Sequence, residues 1–212
     1  MATGLLILAI NRGTKFSSLL LESHKTYAAE VTLGIQTDTD DAEGEHILSK
    51  VITCSDEEAR RKLLSFLGSS MQQPPIYSAL KVQGKPMYKY AREGIKVEKA
   101  ARAIEIKTIE NISINLPKIS FEVSCSKGTY IRSIARDLGE LLDCGGHLSA
   151  LKRLTQQEFL IKDAKKIDEI TELDIIPLEK AFNHLGSVNL PEEKLKKFIN
   201  GSAIDLGLSE SG

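Results

Sequence analysis

Residues 103–142 read AIEIKTIENISINLPKISFEVSCSKGTYIRSIARDLGELL, and this stretch decides the fold. Segments 103–115 and 119–125 alternate apolar and polar side chains on either side of Leu116-Pro117-Lys118, which predicts an antiparallel pair with one buried face. The period then changes. Over 129–142, Ile131, Ile134, Ala135, Leu138, Leu141 and Leu142 recur at helical spacing, and Cys144-Gly145-Gly146 ends the pattern with two residues that tolerate positive φ. A hairpin running straight into a helix, without regular βαβ alternation, predicts an α+β fold: one mixed, mainly antiparallel sheet flanked by helices.

Working outward, GLLILAI (4–10) reads as a buried strand, and KTYAAEVTL (25–33) as a half-buried one with Tyr27, Ala29, Val31 and Leu33 on one face. The acidic, glycine-bearing residues after it read as a loop. Ser55 with Glu58 forms a capping box ahead of Leu63, Leu64 and Leu67, predicting a helix over 56–67. Gln73-Pro74-Pro75 imposes extended backbone. Further on, 154–161 reads as a strand, 163–170 as a short acidic helix, and 191–200 as a helix stopped by Gly201. No internal repeat or low-complexity tract interrupts the chain.

With 212 residues, 42% hydrophobic and 27% charged, the chain can bury a core without metal or disulfide staples. Three cysteines, Cys54, Cys125 and Cys144, lack CxxC spacing and point to a reducing, cytoplasmic setting. His24, His46, His147 and His184 are too scattered for a zinc site, so no metal is expected. The apolar run at residues 5–10 is too short to span a bilayer and lacks a basic lead-in, so a soluble, untargeted protein is expected. A formal net charge of −1 excludes nucleic-acid binding by bulk positive charge. Charge is nevertheless segregated: residues 81–107 carry eight bases against three acids, a local +5, while residues 37–45 carry five acids and no base. A solvated face would also account for either run.

Two places invite chemistry. At SKGTYIRSIARDLG (126–139) a strand gives way to a helix, where side chains are exposed at the sheet's end yet held by rigid elements. There Arg132 can present a planar fork to a carboxylate or phosphate, and Tyr130 can stack on a base. Spacing alone is equally compatible with packing for Tyr130 and a surface charge for Arg132. Taken singly, Tyr27 and Leu151 read as core residues. The second place is QPPIYSALKVQGKPMYKYAREG (73–94), where Tyr77, Tyr88 and Tyr90 interleave with Lys81, Lys85, Lys89 and Arg92. That pattern suits single-stranded or distorted nucleic acid, because bases stack while phosphates pair.

The strings KTYAAEVTLGIQTDTDDAEG, QQPPIYSALKVQGKPMYKYAREG, CSKGTYIRSIARDLG and CGGHLSALKRL, in this order, strongly resemble the bacterial TruB family, the tRNA pseudouridine(55) synthases. The resemblance runs to about Phe159. It implies a pseudouridine-synthase catalytic domain over 1–175, lacking its N-terminal part, and a short tail over 176–212 without a full PUA domain. It also implies an isomerase that needs no cofactor and acts on the TΨC stem-loop of tRNA as a monomer. In that family a uridine is flipped out of the loop, its N-glycosidic bond is broken, and the base is rejoined through carbon.

Carried over residue by residue, Tyr27 would stack on the flipped base and assist proton removal, and Tyr130 would line the pocket. Leu151 would close its apolar side, and Arg132 would pair with the catalytic carboxylate. Lys127, Lys152 and Arg153 join the basic stretch as expected RNA contacts. The sequence departs from the family pattern at its start. The family's aspartate lies in a block like GTLDPMATG, and this chain opens Met1-Ala2-Thr3-Gly4, so the expectation is a chain without its own nucleophile. Asp38, Asp40 and Asp41 belong to a separate loop motif and are not expected to substitute. The alternative expectation is a catalytically silent module that binds tRNA and remodels its elbow.

Overall fold

Seven strands share one sheet in the computed structural model, which describes residues 2–95, 97, 99–185 and 188–206. The described elements begin with β1 (Ala2–Gly4), α1 (Ser17–Leu21), β2 (Lys25–Leu33), β3 (Ile35–Thr37), β4 (His46–Ser49), α2 (Asp56–Leu64) and β5 (Gly68–Gln72). They continue with β6 (Lys81–Val82), β7 (Lys85–Pro86), α3 (Met87–Arg92), β8 (Arg102–Asn115), β9 (Lys118–Cys125), α4 (Ile131–Leu141), β10 (Gly146–Gln156) and β11 (Phe159–Leu160). The sheet order is β1-β10-β2-β9-β8-β5, with β11 on β10; the β1 pairing is parallel and the others antiparallel. The mixed, mainly antiparallel α+β architecture is therefore present.

Alternation places Ala29, Val31 and Leu33 of β2 beside Ile119, Phe121 and Val123 of β9, all buried. Ile131, Ile134, Ala135 and Leu138 of α4, with Ala59 and Leu63 of α2, complete this core. Each buried aliphatic side chain contributes about 1.5–3 kcal/mol. Ser55 caps α2 by accepting the Glu58 N–H at 3.2 Å. At the other end of the motif, α4 meets β10 so closely that a Cβ on Gly139 would lie 2.1 Å from the Gly146 nitrogen.

Several expectations are corrected. The strand expected over 4–10 is instead Ala2–Gly4, with Gly4 at φ +94° where pairing with β10 ends. Leu6, Leu8 and Ile10 are 68%, 58% and 51% exposed, because an apolar run reports hydrophobicity and says nothing of which neighbours reach it. The strand expected over 154–161 starts eight residues earlier, at Gly146. Register shifts between Leu148 and Ala150 and between Arg153 and Thr155 interrupt its alternation and hide it from a period-2 reading. The helix expected over 163–170 is two 3-10 turns, Ile161–Asp163 and Ile167–Glu169, and α2 stops at Leu64 instead of continuing to residue 67.

The chain divides into two units after Lys165, ten residues before the boundary that the family resemblance implies. The second unit, residues 166–212, contains α5 (Leu178–Ala181) and α6 (Glu192–Ile199). Helix α6 follows Pro191, and the chain takes a positive φ of +72° at Gly201, as the sequence predicts. Among the described residues no helix is long and apolar enough to cross a membrane, and no cluster of three metal-ligating side chains occurs.

Candidate active site

The expected residues fall into two groups, one on strands β2 and β10 and one where β9 gives way to α4. Tyr27 stands opposite Val123 on β9 and Arg153 on β10, while Leu151 stands opposite Ala29. Tyr27 and Leu151 therefore share a sheet face as diagonal neighbours. Both are partly buried against the core. Burial pushes the Tyr27 phenol above its ordinary value; Cys125 adds to this, and Arg153 opposes it. The buried Cys125 thiol is itself pushed up to about 11 by desolvation. Tyr27 is thus kept as a neutral ring with a hydroxyl. Arg153 is committed to the fold as well, since its Nε donates to the Leu5 carbonyl at 2.7 Å.

The second group begins just past the end of β9, where Tyr130 is the N-cap residue of α4 and Arg132 lies in its first turn. Arg132 spans three partners: Nη1 donates to the Thr39 carbonyl and to Asp41 Oδ2, both at 3.0 Å, and Nη2 donates to the Tyr77 carbonyl at 2.8 Å. One fork thereby ties α4 to the acidic loop after β3 and to the segment after β5. No hydrogen bond or ion pair among the described residues joins Tyr27 or Leu151 directly to Arg132.

The acidic loop is the part that sequence reasoning left outside the site. Asp41 Oδ1 accepts from Thr39 Oγ1 at 2.7 Å and from the Glu43 N–H at 3.1 Å, while Oδ2 faces Arg132. Its neighbour Asp40 is 7% exposed and pairs with Arg136, one helical turn beyond Arg132, at 3.1 Å. Burial raises the Asp40 carboxyl to about 6 although Arg136 and Arg132 pull it down; Asp137 adds to the rise. The loop is also hydrogen-bonded to β10, with Leu148 N–H donating to Asp40 O at 3.0 Å and Ala42 N–H to Leu148 O at 3.0 Å. The only sequence signal for this was five acids without a base, facing a helix that carries Arg132 and Arg136.

The basic residues are less uniformly free than their spacing suggests. Lys85 contacts Glu93 at 2.5 Å and lies 4.6 Å over the Tyr90 ring, and Arg92 lies 5.5 Å over Tyr88. Lys127 pairs with Glu22. Lys81, Lys89, Arg92 and Lys152 are exposed. Lys96 and Glu98 of the same stretch lie outside the described residues.

This sheet, with a tyrosine and an arginine at the head of the helix that follows its central hairpin, has the α+β fold of the pseudouridine synthases. A crystal structure of a Cbf5-Nop10-Gar1 complex contains a chain that matches 86% of this one with a TM-score of 0.63 and 24% identity; the match spans 50% of that chain. A similar match, TM-score 0.55 and 20% identity over 82% of this chain, is found in an H/ACA RNP bound to a substrate RNA containing 2'-deoxyuridine. The family model described as "TruB family pseudouridylate synthase (N terminal domain)" matches residues 1–131, and the chain belongs to that family. Relatives include the tRNA pseudouridine synthase B of Alkaliphilus oremlandii, 40% identical over 96% of this chain and 70% of its own length. That of Clostridium kluyveri is 41% identical over 96% of this chain and 72% of its own length.

Proposed function

We propose that this chain provides the uridine pocket of a tRNA pseudouridine synthase acting in the TΨC loop, at position 55. The observation that carries this reading is the 40% identity, over 96% of the chain, with a protein named tRNA pseudouridine synthase B; the loop and position follow from the family resemblance. The geometry supports it. Tyr27 offers a neutral ring on the sheet face, Leu151 an apolar neighbour beside it, and Tyr130 a second ring at the head of α4. Isomerisation breaks the bond from the ribose carbon to N1, forms one to C5, releases the C5 proton and protonates N1, so that no atom is gained or lost. On this reading Tyr27 stacks on the base and assists that proton's departure.

The same proposal makes the 212-residue polypeptide a binder that does not turn over. Its Arg132 fork is taken by Asp41, and Asp41 is itself fixed by Thr39 and Glu43, which makes it a poor nucleophile. This also favours the second reading, a silent module that grips the TΨC loop. The test combines anisotropy of a labelled TΨC stem-loop with tritium release from uridine labelled at carbon 5. Binding without release is expected for the 212 residues. Turnover in this form would assign the chemistry to a carboxylate inside the chain, Asp41 foremost. In a form extended by a family-type GTLDP block, Tyr27→Ala is expected to abolish release while leaving the salt dependence of binding unchanged.

A further inference from the structure

Gln72 and Arg102 stand opposite each other on the antiparallel strands β5 and β8, and both reach Tyr130. Gln72 is 4% exposed, and its carboxamide grips the tyrosine's main chain from both sides. Nε2 donates to the Tyr130 carbonyl at 3.0 Å, and Oε1 accepts the Tyr130 N–H at 2.8 Å. Tyr130 has no side-chain cap of its own, and this amide takes its N–H and its carbonyl, holding the two peptide units that flank Tyr130 at the helix start. Only a group carrying one donor and one acceptor in a single plane can do this; a carboxylate lacks the donor and an aliphatic chain lacks both.

Arg102 acts on the ring. Its guanidinium carbon lies 4.9 Å from the Tyr130 ring centroid, and Nη2 donates to the Gly128 carbonyl. Gly128 sits at φ +77°, and a Cβ there would come within 3.1 Å of that guanidinium carbon, so the glycine leaves room for the arginine. The Arg102 Nε is buried and has no hydrogen-bond partner among the described residues. A donor left unpaired is a poor way to gain stability from hydrogen bonding, whereas a planar cation laid on a ring restrains that ring. With one face taken by Arg102, a base can stack only on the other.

We infer that Gln72 and Arg102 are positioning residues, which hold the Tyr130 main chain and ring in a base-receiving orientation before RNA arrives. The inference rests on the proposed role of Tyr130 in the pocket. Ordering the ring in advance removes a cost that would otherwise fall on base capture, while phosphate contacts elsewhere set most of the affinity.

The test uses the 212-residue protein and a TΨC stem-loop carrying 5-fluorouridine at the target position. Fluorine NMR reads base capture, and anisotropy reads affinity. The unmodified protein is expected to give a distinct bound-base resonance at saturation, which Tyr130→Ala removes. Arg102→Lys keeps the charge and loses the planar face; Gln72→Glu keeps the acceptor and loses the donor. Both are expected to bind within about threefold of the parent and to lose most of that resonance. If Gln72→Glu fails to fold by thermal melting, the partly exposed Arg102→Lys decides alone. A resonance that survives Tyr130→Ala, or never forms with the unmodified protein, would refute the pocket reading. One lost with Tyr130→Ala and retained in the folded positioning variants would refute this inference alone.

Discussion

Lowering the pH from 7.5 to 5 should strengthen this fold relative to an Asp40→Asn variant. Asp40 is buried beside Arg136, and desolvation outweighs that ion pair, raising its carboxyl from 3.8 to about 6. Above the ordinary carboxylate value the unfolded chain releases this proton while the folded one keeps it. Stability from Asp40 is therefore greatest in acid and falls as pH climbs through the window from about 4 to 6. With those two values, the penalty is about 2 kcal/mol at pH 5 and about 3 kcal/mol at pH 7.5, a difference of about 1 kcal/mol. Asparagine keeps the shape and cannot titrate, so subtracting its urea-unfolding free energy at each pH cancels every other carboxylate, including Glu30 and Asp143, whose lowered values act in the opposite direction. Unfolding curves at pH 5, 6 and 7.5 should show the parent gaining on the variant by about 1 kcal/mol on acidification. A difference that is flat within about 0.3 kcal/mol, or that grows the other way, would show that the Arg136 pair governs Asp40 and that burial does not.

Arg132→Lys should free the acidic loop, because a single ammonium cannot span Thr39, Asp41 and Tyr77; cleavage within residues 38–45 under limited proteolysis should quicken, with a stability loss of about 1–3 kcal/mol. Stem-loop affinity should fall with salt at a log-log slope of about −3 to −5. Lys89→Gln should flatten that slope by about one unit and Lys85→Gln by less, since Lys85 is held by Glu93; equal effects would contradict the pairing. Gly139→Ala should cost more than about 3 kcal/mol, because the added Cβ meets backbone at Gly145 and Gly146; a melting temperature within a degree or two of the parent would show that α4 can lift off β10.

Strand β9 and helix α4 were legible because their hydrophobic periods are clean, and β8 because Ile104 with Ile106 and Ile112 with Ile114 keep period two on either side of its two register shifts, with turn residues where the chain reverses. Strand β10 was not, since two register shifts break its alternation, and the apolar run after Gly4 misled because only Leu5 is buried against β10 while Leu6, Leu8 and Ile10 are exposed. In the site, the strand-to-helix junction pointed to Tyr130 and Arg132 from local sequence. The partners of that junction could not be read the same way. Gln72 lies 58 residues before Tyr130, and Asp41 lies 91 before Arg132. A loop aspartate or a strand-end glutamine carries no periodic signal announcing a distant clamp. Nor does a run of lysines disclose that one of them is already held by a glutamate.

The placement of β2 between β9 and β10 also sets a timetable for synthesis. β2 ends at residue 33 and β9 begins at residue 118, so about 85 further residues must leave the ribosome before its first sheet partner exists. At about 5–20 residues per second that is roughly 4–17 s during which KTYAAEVTL has no ladder to join. The β8–β9 hairpin and α4 are close in sequence and can form first, presenting an open edge that β2 then fills from a nascent chain already made. The strand that later bears Tyr27 thus spends that interval open to premature pairing.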